Sequence, residues 1–187
     1  MSESWRPPEP DPFVDLSDDV ALEEAIAARS ERRSRQERAA EVATWIGTLR
    51  DLAERNLPVV VRTSEDRVHR GSLAAVGVDH VAIRLINSTV VLVALDTLRS
   101  IRPEPGQAAP VATGDRERSQ DRTLVEALSL QVDQHREVVV SLREVADLLH
   151  GDIVGMGEDI ITMRLGDQDR GAVYLPVSAI REIIFTT

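Results

Sequence analysis

The chain has 187 residues, 42% of them hydrophobic and 29% charged, enough for one ordinary core or two small ones. It contains no cysteine, which excludes disulfides and thiolate metal sites, and its net charge of -10 weighs against general attraction to nucleic-acid phosphates. No apolar run approaches a membrane span of about 20 residues, and the start, MSESWRPPEPDPF, lacks the basic and apolar regions of a signal peptide, so a soluble, cytoplasmic protein is expected.

Taken in order, residues 1–16 hold Pro7, Pro8, Pro10 and Pro12 among acids and read as a disordered acidic tail. Trp5 and the run Phe13 to Leu16 are its candidate docking residues. Ser17, Asp18 and Asp19 are suited to capping a helix, and a charged helix is predicted over 17–44. Its middle, Arg29 to Arg38, has no apolar residue, so it is a helix held by its own ion pairs and solvent. Apolar spacing resumes at Val42, Trp45, Ile46, Leu49 and Leu52, predicting helix up to about Asn56, before Pro58, with one face packed on the segment that follows.

Five short strands are predicted next: Pro58 to Arg62, two strands joined at Gly77-Val78-Asp79, Thr89 to Ala94, and Leu98 to Arg102. Residues 104–122, rich in proline, glycine and charge, read as a linker. The same plan then recurs, with a helix from about Thr123 to Gln134, a strand Glu137 to Leu142, another hairpin, and strands Gly171 to Leu175 and Ala179 to Phe185. The hairpins carry the recurrence: GSLAAVGVDHVAIRL at 71–85 returns as GDIVGMGEDIITMRL at 151–165, with both glycines, the aspartate and the final Arg-Leu retained. The chain therefore reads as an internal repeat, 45–103 and 123–187, with 6 acids and 8 arginines in the first copy and 11 and 5 in the second.

A helix followed by five strands, with G-x-L-x-x-V-G-x-D-x-V-x-I-x-L across the second and third strands and V-Y-L-P-V-S-A-I at the end, resembles the Sm-like (LSm) family, most closely its small bacterial members. Other small barrels, SH3-like and PRC-type, share such glycine and valine patterns. The resemblance implies two tandem five-stranded barrels, each preceded by a helix. Gly71 and Gly151 would let strand two bend sharply, and Asp79 and Asp159 would turn it into strand three. It also implies association through barrel edge strands, strand four of one unit pairing with strand five of the next, with a second copy or another protein as partner.

Family members hold single-stranded RNA, but the asparagine that contacts bases has no counterpart after Asp79 or Asp159, and the loops after strand four, at Leu95 to Thr97 and Pro176 to Ser178, supply no cation. What remains for RNA is the basic loop of the first copy, where Arg62, Arg67, His69 and Arg70, with His80 nearby, are candidate phosphate contacts. No phosphate loop, metal-ligand spacing or clustered histidine points to catalysis. The sequence reading is therefore a non-catalytic binding or assembly module without cofactor, metal, membrane or DNA, with an RNA-binding regulator, using that basic loop and the Arg29 to Arg38 helix, as its alternative.

Overall fold

A computed structural model describes residues 12–41, 43–107, 122–132, 137–166 and 171–186. The tail up to residue 11 and linker residues 108–121 lie outside the described residues. Helix α1 spans Pro12–Glu41, so helix begins inside the expected tail, with proline near its first turn, where a missing N–H costs nothing. From residue 21 onward its described side chains are exposed, and Arg33–Glu37 and Glu31–Arg35 ion pairs one turn apart support the polar middle.

The apolar stripe belongs to a separate helix. Thr44 adopts an extended conformation and its Oγ1 accepts the Gly47 N–H at 3.0 Å, starting α2 (Trp45–Glu54). Asn56, with φ 48°, closes that helix in the left-handed region two residues before Pro58. Leu49 and Leu52 of α2 are buried against Val59, Val61, Leu73 and Ile83 of the strands that follow.

The strands are β1 (Pro58–Thr63), β2 (Val68–Val76), β3 (His80–Leu85), β4 (Val90–Ala94) and β5 (Leu98–Pro103), then, after α3 (Leu124–Val132), β6 (Glu137–Leu142), β7 (Leu148–Met156), β8 (Ile160–Leu165), β9 (Ala172–Pro176) and β10 (Ile180–Phe185). They form one open antiparallel sheet of ten strands in the order β5-β1-β2-β3-β4-β10-β6-β7-β8-β9. This corrects the expectation of two five-stranded barrels. Closing either half on itself would require its outermost strands to meet, whereas β4 hydrogen-bonds to β10 of the other half and the sheet ends at β5 and β9.

Within each half the pairing is the same. Gly71↔Leu85 and Val76↔Val81 in the first hairpin match Gly151↔Leu165 and Met156↔Ile161 in the second, and bulges fall at Leu73/Ala75 and Ile153/Gly155. The glycines serve close approach: a Cβ at Gly71 would collide with the carbonyl oxygen of Arg84, and one at Gly151 with that of Arg164. The two cores interpenetrate at the sheet centre. Ala82 and Leu92 of the first half are buried with Leu124, Leu128 and Ile183 of the second, while Ile184 packs against the core of the first.

Candidate functional site: the junction and the two open edges

The halves meet along a short ladder, Val93↔Glu182, Leu92↔Ile183 and Val91↔Ile184. Sequence places Arg181 and Glu182 in the middle of an apolar strand, and the fold buries both. Glu182 receives Arg67 Nη1 at 2.6 Å on one oxygen and His69 Nε2 at 2.7 Å on the other. Burial pushes its carboxyl up, but the His69 hydrogen bond and the charges of His69, Arg67 and Arg181 outweigh burial and hold it below the usual glutamate range. Arg181 in turn pairs with Glu65 and donates to Ser141 Oγ. The loop between β1 and β2 is thereby fixed onto a strand of the other half.

Two further contacts cross the junction. Arg143, after β6, donates two hydrogen bonds to Asp96, at 2.6 and 2.7 Å, in the fork geometry that suits guanidinium and carboxylate. These bonds hold the Asp96 carboxyl below its ordinary range and raise the Arg143 guanidinium. Asp79, in the β2–β3 turn, accepts the Leu124 N–H at 2.7 Å and so caps α3 from outside its own half. The Val78 N–H donates to the Arg122 carbonyl at 3.0 Å beside it. Where α2 and α3 start, a cavity of about 500 Å³ opens, lined by Trp45, Leu95, Leu124 and Val177 with the Asp96–Arg143 pair among its walls.

The five residues expected to contact RNA do not form one basic surface. Arg67 and His69 come together, but on Glu182 and with His69 buried. His80 is buried in the hairpin, with Nδ1 3.1 Å from Asp79 Oδ1. Arg70 is largely exposed, 3.8 Å from Glu104, and Arg62 is exposed on β1. Sequence reasoning passed over Arg181, Glu182, Asp96 and Arg143. The signal available was an Arg-Glu pair inside IREIIF, a strand otherwise apolar on both faces.

Beyond the junction the sheet has two ends. On β5, Arg99, Ser100 and Arg102 are exposed, and at the other end Tyr174 of β9, Ile160 of β8 and Met156 of β7 are exposed. Among the described residues each end strand has a sheet neighbour on one side only. Among the described residues no group of three or more His, Asp or Glu side chains is placed to hold a metal ion, and no helix is long and apolar enough to cross a membrane. No family model, curated protein or solved structure matches the chain.

Proposed function

We propose that the protein is a non-catalytic association module whose end strands, β5 and β9, bind extended chain by strand addition. The observation that carries this reading is the open sheet itself. Two strands with unpaired backbone groups end it, and exposed apolar side chains surround one of them. Main-chain hydrogen bonds along an edge supply affinity, and the alternating side chains supply selectivity.

The burial of His69 and His80 and the pairing of Arg67 with Glu182 favour association over RNA, because these groups are turned to internal partners. The reading is tested by selecting extended eight-residue peptides from a displayed library against the full chain at high salt, where phosphate-type attraction is screened. Enrichment of peptides with alternating apolar residues, lost for a chain carrying Tyr174→Pro, is the expected result. Enriched peptides that bind that variant and a Ser100→Pro chain equally, or no enrichment at all, would overturn it.

A further inference from the structure

The cavity beside the junction takes its walls from both halves. Asp79, Leu95 and Asp96 belong to the first and Leu124, Arg143 and Val177 to the second, while Trp45 of α2, 43% exposed, completes the lining. Its volume of about 500 Å³ lies within the range of small-molecule sites, which form preferentially where two structural units meet.

The walls are fixed by bonds within the fold. Leu95 and Val177 hold matching places, each opening a short 3-10 turn, Leu95–Thr97 and Val177–Ala179. Each donates its N–H at 2.8 Å to the carbonyl of the turn aspartate of its own half, Asp79 or Asp159. The Thr97 hydroxyl ties the first turn back to the Ala94 carbonyl at 2.7 Å. Asp96 is held by the fork of Arg143, and Asp79 by the Leu124 N–H. A site built this way loses little conformational freedom when a ligand enters it.

The chemistry of the lining selects the ligand. Leu95, Leu124, Val177 and Trp45 call for an apolar body. Among the described residues that line the cavity, two carboxylates, Asp79 and Asp96, stand against one guanidinium, Arg143, which leaves one net negative charge. Both terminal nitrogens of Arg143 are engaged by Asp96, so the one cation of the wall is already committed and an anion finds no counter-charge. Asp79 is different. The Leu124 N–H and the His80 ring both meet its Oδ1, and Oδ2 has no partner among the described residues. The Trp45 indole lines the same cavity, and tryptophan is the ring that attracts a cation best.

We infer that this cavity binds a small organic cation, an amine carried on an apolar body. The ammonium group pairs with the Asp79 carboxylate and lies against Trp45, and the body fills the space between Leu95, Leu124 and Val177. Because the walls belong to both halves, the bound amine stabilises their junction and with it the folded chain. The site is independent of the end strands of the sheet.

Fluorescence of a Trp5→Phe chain, in which Trp45 is the one tryptophan, follows binding directly. Three probes share one body: phenylbutylamine, the matched phenylbutanol and the matched phenylbutyrate. The amine is expected to change the Trp45 emission saturably, to raise the melting temperature, and to bind about tenfold more tightly than the alcohol, the effect of one hydrogen bond to a charged group. The acid is expected not to bind.

Asp79→Asn keeps an oxygen for the Leu124 N–H but removes the charge, so it is expected to weaken the amine about tenfold. Alcohol binding is expected to stay unchanged, which shows that the cavity is intact in the variant. Ser178→Asp adds a carboxylate to the exposed part of the wall and is expected to strengthen the amine alone. It decides the matter should Asp79→Asn fail to fold. Equal binding of acid and amine, no saturable binding of any probe, or an amine preference that neither substitution moves would overturn the inference.

Discussion

Arg67 Nη1 lies 2.6 Å from Oε1 of Glu182, so a cation from a loop of the first half neutralises a carboxylate that is fully buried on a strand of the second. The pair links residues far apart in sequence and makes the β4–β10 contact specific. Three ladder pairs alone would tolerate slippage, because Val91, Leu92 and Val93 are similar in shape. A slip of one residue would carry Glu182 to the other face, away from both Arg67 and His69.

Replacing Glu182 with glutamine is expected to destabilise the chain by about 3 kcal/mol, the low end of the range for removing one partner of a buried pair. The low end applies because the Arg67 side chain remains partly exposed. Urea unfolding of the wild type, Glu182→Gln, Arg67→Met and the double variant checks it. The double variant is expected to be less destabilised than the two single losses added together.

The depressed Glu182 carboxyl gives acid a defined effect. Stability from a carboxylate whose folded value is lowered is fully present above the unfolded glutamate value of about 4.3 and disappears as the pH falls through the lower folded value. The wild type is therefore expected to lose stability below about pH 4.3, with a steeper slope than Glu182→Gln. Equal slopes in a pH series of urea midpoints would contradict the assignment.

Asp79 and Asp159 occupy the same turn but have different work. Asp79→Ala removes the acceptor of the Leu124 N–H while Thr123 still accepts the Glu126 N–H, and is expected to cost about 1 kcal/mol, as loss of a capping hydrogen bond usually does. Asp159→Ala is expected to change stability by less than about 0.5 kcal/mol, as a surface substitution. Thermal unfolding of the two variants beside the wild type checks the difference.

Gly71→Ala and Gly151→Ala each push a methyl group into a backbone carbonyl of the paired strand, which cannot swing aside as a side chain would. A loss of about 3 kcal/mol is expected for either, the upper part of the usual range for overpacking. Circular dichroism during urea unfolding measures it.

Most strands were legible from alternation and turns, since β6 spans Glu137–Leu142 as predicted and the other strands are displaced by only a residue or so, β2 and β7 excepted, each of which starts about three residues before its hairpin glycine. β2 starts at Val68, inside the expected loop, because Val68, His69 and Arg70 pair with β1 although the last two are polar. The break between α1 and α2 was missed because apolar spacing runs through it; only Thr44, a good N-cap, marks it.

The single sheet was not legible, because hydrogen bonding between β4 and β10 depends on how two halves meet and leaves no periodicity in either. For the same reason Arg67 and His69 read as a basic loop. Their partner Glu182 lies more than a hundred residues away, in a strand that is otherwise mostly apolar.

Amide hydrogen exchange of the full chain with and without a selected peptide tests most directly whether the ends of the sheet are association sites. Protection is expected to rise on peptide addition in β5 or β9, the end strands of the sheet, and to stay constant in β4 and β10, which are already paired. Exchange in β5 and β9 that the peptide does not change, or that changes equally throughout the sheet, would contradict it.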